Sequence, residues 1–191
     1  MAISNRELWD MYTKSGKAFF RLRNYAEATR MFAAALQVAE EFGPKDPRLG
    51  VTLNNLAHAH QVARRYDEAE VLYRRAIEIA AEEHGHEHPD AAVCLANLAG
   101  CYQAQRRYVE AEPLFRKAIG ILGKTLGEEH QSMATLLENY ASLLRKLAHE
   151  TEAAKAAEWA GSIRARGAPA GSMLDQLARD IRAAMDEPRP K

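Results

Sequence analysis

The chain has little of what marks several protein classes. Its 26 lysines and arginines balance 26 aspartates and glutamates, so it has no general electrostatic reason to bind nucleic acid or an anionic membrane. The longest apolar stretch, Met31 to Leu36, falls far short of the ~20 residues needed to span a bilayer. Residues Met1 to Glu7 place no apolar segment after a basic one, so no secretory signal is expected in them. There are only two cysteines, Cys94 and Cys101. On a shared helix they sit roughly 10 Å apart along the axis, too far for a disulfide. They read as small buried apolar residues in a reducing compartment, which makes the cytoplasm the expected location. A phosphate-binding glycine loop, a metalloprotease motif and a nucleophile elbow are all missing. Acid pairs such as Glu128-Glu129 read as solvated charges at helix ends. Neither an enzyme nor a bound cofactor is expected.

What the chain does have is a repeat. The triplet Asn55-Leu56-Ala57 returns as Asn97-Leu98-Ala99 and then as Asn139-Tyr140-Ala141, at steps of 42. Tyr66-Asp67-Glu68-Ala69-Glu70 returns as Tyr108-Val109-Glu110-Ala111-Glu112 and is preceded by Tyr25-Ala26-Glu27-Ala28. A fainter copy is Glu150-Thr151-Glu152-Ala153. Gly43, Gly85 and Gly127 keep the same step, as do Pro47 and Pro89. Several independent markers in one phase define a repeat architecture.

Each unit reads as two helices. Leu53, Leu56, Ala57 and His60 make one stripe at helical spacing; Ala69, Leu72, Tyr73, Ala76, Ile77 and Ala80 make the next. The small alanines let helices approach closely, and Phe32, Tyr73 and Phe115 fill the space between units. The glycines fall where the second helix must stop in a left-handed conformation. The prolines suit the first turn of the following helix, where no amide donor is required. One unit cannot bury both stripes alone, so units must stack.

The spacing of a small residue, an alanine twelve on, an aromatic four further and an alanine three further resembles the tetratricopeptide repeat (TPR). It is carried by Gly16, Ala28, Phe32, Ala35; by Ala57, Ala69, Tyr73, Ala76; and by Ala99, Ala111, Phe115, Ala118. The longer period, with Asn54-Asn55-Leu56-Ala57 and Gly85-His86-Glu87-His88-Pro89-Asp90, is similar to the kinesin-light-chain variety of TPR. The resemblance covers roughly residues 5 to 166. It implies an all-α, right-handed superhelix (an α-solenoid) of four helix pairs, with units at about 5–46, 47–88, 89–130 and 131–166. It also implies a concave groove lined by the first helix of each pair, and protein or peptide binding there. The fourth unit departs most, with Glu150 for the tyrosine and Ala157 for the aromatic, as suits a terminal unit.

Ser4 and Glu7 have capping-box spacing for the first helix. Residues 167–171 form a breaker, and 172–187 read as a ninth, amphipathic helix capping the last pair. Residues 188–191 read as a frayed tail. Trp9 is assigned to the first helix's packing face. Trp159 falls one residue beyond its helix's apolar stripe, facing either the ninth helix or a partner. His84, His86, His88 and His130 lie in inter-repeat turns, and Asp46 stands where His88 stands one repeat later. They read as polar side chains that hydrogen-bond the start of the next helix, and no metal is assigned to them.

The functional expectation centres on the groove. Asn55, Asn97 and Asn139 occupy one phase of three successive first helices, off the packing stripe. An asparagine amide both donates to and accepts from a peptide backbone, so a ladder of them holds an extended segment without reading its sequence. The resemblance supports the same assignment. His58, Gln61, Gln103, Ser142 and Arg145 join them, with Lys14 and Lys17 in the first unit. The lysines and Arg145 favour an acidic segment. The expected role is an adaptor or scaffold binding an extended segment of a partner, with no nucleic acid and no membrane involved. The alternative is a regulatory module whose groove holds its own or a neighbour's C-terminal helix. The sequence sets no oligomeric state.

Overall fold

The computed structural model describes residues 3–165. Among them are eight α-helices and no strand. They are α1 (Asn5–Arg21), α2 (Tyr25–Glu41), α3 (Pro47–Val62), α4 (Tyr66–His84), α5 (Pro89–Ala104), α6 (Tyr108–Thr125), α7 (Gln131–Lys146) and α8 (Glu150–Arg164). The expected breaker, ninth helix and tail lie outside the described residues.

Local chemistry explains the helix ends. At Ser4 the hydroxyl accepts from the Glu7 amide at 3.3 Å, while the Ser4 amide donates to the Glu7 carboxylate at 2.9 Å. Together these satisfy two orphan donors of α1. Pro47 and Pro89 are the first residues of α3 and α5, where proline's fixed φ costs nothing. Gly43, Gly85 and Gly127 take φ of 103°, 87° and 86°, which only glycine adopts without strain.

The turn inside each pair uses a different device. Arg23, Arg64, Arg106 and Ala148 have φ between 58° and 61°, the left-handed region. The following amide closes each first helix: Arg65 donates to the His60 carbonyl at 2.9 Å, and His149 to that of Leu144 at 2.9 Å. This is the Schellman ending, made here without glycine. A left-handed residue bearing a Cβ costs roughly 1–2 kcal/mol, and the extra freedom of glycine in the unfolded chain offsets part of that. Exposed Ala148 makes no side-chain hydrogen bond that glycine would forfeit. Ala148→Gly is therefore expected to raise stability by about 0.5–1 kcal/mol, read as a higher urea midpoint at unchanged slope. A lower midpoint would contradict it.

The chain divides into two compact units, Met1–Cys101 and Tyr102–Lys191. In the first, α1 packs on α2, α2 on α3 and α3 on α4. One core cluster holds Ala39, Leu49, Leu53, Ala76, Ile79 and Cys94, with Trp9 and Leu72 packed against it. A second holds Ala28, Phe32, Leu56 and Ala59. Trp9 lies on the packing face, as expected, and its indole N–H donates to Thr52 Oγ1 at 2.8 Å. In the second unit α7 packs on both α6 and α8. Phe115 is fully buried, with its ring centroid 6.1 Å from that of Tyr140. The alanines Ala69 and Ala111 are completely enclosed, each in its own unit.

Of the two readings of Trp159, the exposed partner anchor is overturned, while contact with the ninth helix falls outside the described residues. Trp159 is buried alongside Ala153, Ala156, Ala160 and Ile163, so it is not an exposed anchor. The buried face of α8 is wider than the alanine row suggested, as globular helix stripes commonly are. Trp159 gives it aromatic bulk, whereas Ala157, two residues earlier, is only half-buried.

Candidate functional site

The expected binding residues lie on the first helices of the pairs. In the first unit, Lys14 and Lys17 are exposed on α1, and Asn55 and Asn97 are half-buried on α3 and α5. The asparagines are not equivalent. The amide N–H of Asn97 donates to Asn54 Oδ1 at 2.8 Å, which leaves Asn97 its carbonyl oxygen as an acceptor. The Asn55 Nδ2 is enclosed and has no hydrogen-bond partner. The repeat accounts for this. The same offset that relates Asn97 to Asn54 relates Asn55 to Thr13, allowing for the shorter first repeat, and the Thr13 hydroxyl is likewise enclosed without a partner. The Asn–Asn bond of one repeat boundary is missing at the boundary before it.

Two further residues carry structural duties. Gln61 Oε1 accepts from the hydroxyl of buried Tyr73 at 2.8 Å, so its carbonyl is committed and its NH2 is what it can offer a partner. His58 lies on the Phe20 ring, centroids 4.8 Å apart, and desolvation holds its imidazole below the ordinary histidine pKa. Its neighbour His60 turns inward and is buried. Desolvation lowers its pKa as well, helped by Arg65 and opposed by Glu68. The two histidines therefore face different environments.

In the second unit, Asn139 and Arg145 are exposed on α7. Gln103 donates through Nε2 to Ser142 Oγ at 3.2 Å, which keeps its carbonyl oxygen as an acceptor.

A cavity of about 150 Å³ opens beside the Asn54–Asn97 pair, lined by Val51 and Asn54 of α3, Ile79 and His84 of α4, and Val93 and Cys94 of α5. Its lining is mostly apolar, and Val51 and Val93 are large hydrophobics left exposed. These two valines and Asn54 were not singled out in the sequence. The signal was there, since Val51 and Val93 share one repeat phase off the packing stripe. At Cys94, burial and the nearby Asp90 push the thiol up to about 12, so it is inert as a nucleophile. Both cysteines are buried and unpaired.

Two of the turn histidines, His88 and His130, cap helices. His88 Nδ1 accepts from the Asp90 amide at 3.3 Å and His130 Nδ1 from the Ser132 amide at 3.2 Å. Asp46 does the same for the Arg48 amide at 3.0 Å.

Paired helices in a repeating phase, with a polar row on their first helices, define a repeat protein of the TPR class. The tetratricopeptide-repeat family model matches residues 49–124 and 95–165, and the chain belongs to that family. The nearby solved structures are of the kinesin-light-chain-like kind. BtubC (BKLC) from P. vanneervenii is 20% identical, with a TM-score of 0.68, over 100% of this chain and 70% of that one. A putative kinesin light chain with nearly identical TPR-like repeats from Podosopora anserina is 24% identical, with a TM-score of 0.68, over 87% of this chain and 80% of that one. A point-substituted form of that same protein is 23% identical, with a TM-score of 0.69, over 84% and 76%. No curated protein matches the chain. The fold is that of a protein–protein interaction module. No helix among the described residues is long and apolar enough to cross a membrane.

Proposed function

We propose that the protein is an adaptor whose first helices bind an extended, acidic segment of a partner protein through its backbone. The observation that carries this reading is the recurrence of Asn55, Asn97 and Asn139 at one phase of successive first helices. Asn97 keeps an unengaged amide oxygen after its bond to Asn54, and Asn139 is exposed. A peptide N–H matches that acceptor. The cavity beside Asn54 and Asn97 suits one apolar side chain of the same segment. Exposed Lys14 and Lys17 in one unit and Arg145 in the other supply the preference for acidic sequence. The chain itself has a net charge of zero, so attraction to the segment is local rather than global.

The test is an array of extended peptides of graded acidity, the best binder being titrated by fluorescence polarisation. The triple change Asn55→Ala, Asn97→Ala and Asn139→Ala is expected to leave the helical circular dichroism intact. Each lost hydrogen bond should weaken binding by about 0.5–1.5 kcal/mol, at least tenfold in sum. Lys14→Ala with Lys17→Ala is expected to act mainly at low salt, because exposed charges are screened within about 10 Å at 0.1 M. Unchanged affinity in the folded triple variant would end the reading.

A further inference from the structure

We propose that His84, His88 and Asp90, at the turn between α4 and α5, form a binding site for a zinc-class divalent cation. His84 and Asp90 also line the cavity beside Asn54, but the cation reading rests on the turn's own geometry and does not need a bound segment. His84 is the last residue of α4. Gly85, at φ 87°, reverses the chain, and the His88 amide donates to the Gly85 carbonyl at 3.2 Å. The reversal sets the His84 and His88 rings 4.3 Å apart at 41°. It also brings His88 Nδ1 to 3.5 Å from Asp90 Oδ2. One potential ligand atom from each of the three residues lies within 4.8 Å of the others.

The donor set selects the ion. Two imidazoles and a carboxylate suit zinc and its neighbours, whereas magnesium and calcium call for oxygen alone. Zinc bonds of ~2.1 Å put adjacent ligand atoms roughly 3.4 Å apart in a tetrahedron. The three groups therefore close by up to roughly 1.4 Å, a movement the rotamers of partly exposed side chains can absorb. Water fills the remaining position. The negative carbonyl end of α4 lies at the same place and favours a cation, and Asp90 offsets the opposite pole of α5.

The molecule supplies its own comparison. One repeat earlier the three positions are Phe42, Asp46 and Arg48. There too they converge, and a cation is at their centre. The Arg48 guanidinium lies 3.6 Å over the Phe42 ring and pairs with Asp46 at 2.6 Å. At the second turn the arginine has become Asp90, and both neighbours have become histidines. The geometry that surrounds an internal cation is kept, the cation is removed, and metal-ligand side chains replace its surroundings. At the third turn the positions are Leu126, His130 and Ser132, which offer one ligand type only.

The experiment is calorimetric titration of ZnCl2 into the untagged, chelator-stripped full chain, with cobalt(II) absorption as a second readout. One equivalent of zinc is expected to bind saturably, and cobalt to give the visible bands of a low-symmetry nitrogen/oxygen site. His84→Ala should weaken binding at least tenfold, with folding checked by circular dichroism. Asp90→Asn, which removes the anionic ligand and keeps the side chain's shape, should weaken binding at least tenfold while the helical circular dichroism is unchanged. His86→Ala and His130→Ala should bind as the unmodified protein does. Absence of saturable binding would overturn the proposal. So would full binding in folded His84→Ala, or equal weakening by His86→Ala, which signals diffuse histidine binding.

Discussion

Truncating Phe115 to alanine is expected to lower stability by about 3–5 kcal/mol. Phe115 has none of its side chain exposed. It lies on α6 between the enclosed alanines Ala111 and Ala118 and meets Tyr140 of α7 at 6.1 Å between centroids. Removing the ring forfeits its transfer from water and leaves a void that flanking alanines are too short to fill. Tyr140 also loses a face, while its hydroxyl remains within 3.3 Å of the Arg116 guanidinium. That bond restrains Tyr140 from collapsing into the space. For a chain of this length each kcal/mol moves the melting midpoint by ~2–4 °C, so a fall of roughly 6–20 °C is expected by circular dichroism at 222 nm. Val109, on the same helix, is 79% exposed, and Val109→Ala should shift stability by no more than about 0.5 kcal/mol. Equal effects at the two positions would show that burial on α6 is misassigned.

What could be read from sequence was what local backbone demands and strict periodicity impose. Gly43, Gly85 and Gly127 declared the helix ends because a left-handed residue after a helix selects glycine at each copy. Ala69, Ala111 and Phe115 declared the core because close helix approach fixes residue size. The other left-handed turn stayed hidden, since Arg23, Arg64, Arg106 and Ala148 occupy it. There the carbonyls of the first helix are closed by backbone bonds, and the strain is borne without a marker residue. Whether Trp159 is packed or exposed stayed open because a helix's buried stripe is set by what packs on it, and α8 alone offers only the alanine row. The asparagine phase was legible, but its pairing was not. Whether Asn97 meets Asn54, and whether Asn55 lacks such a mate, depends on the residue one repeat earlier. Convergence of His84, His88 and Asp90 was likewise invisible, because it depends on how far Gly85 folds the chain back.

Gly16→Ala sets two of these rules against each other. Helix propensity alone favours alanine by ~1 kcal/mol in a helix interior, and the equivalent residues Ala57 and Ala99 are alanines, both fully buried. In the first repeat, however, a Cβ on Gly16 would lie 2.6 Å from Phe32 Cε1 and 2.7 Å from Cδ1. Carbon atoms prefer roughly 3.5–4.0 Å, so the ring must retreat by about an ångström. It has little room to do so: Phe32 is 3% exposed and clustered with Ala28, Leu56 and Ala59, with Phe19, Phe20, Leu36 and Leu72 packed against them. In the second repeat Tyr73 is tied through its hydroxyl to Gln61. Phe32 has no such tether, and Phe20 stands at the position equivalent to Gln61, so its ring settles into the space that glycine leaves. Overpacking costs roughly 1–3 kcal/mol and outweighs the gain in propensity. Gly16→Ala is therefore expected to destabilise by about 1–2 kcal/mol net, despite alanine being the commoner residue at that phase. In a Phe32→Leu background the collision partner is smaller, and the same change should become neutral or stabilising. Thermal melts of the four proteins in that cycle give the coupling directly. Additivity of the two substitutions would mean that the ring and the glycine do not share the space assigned to them.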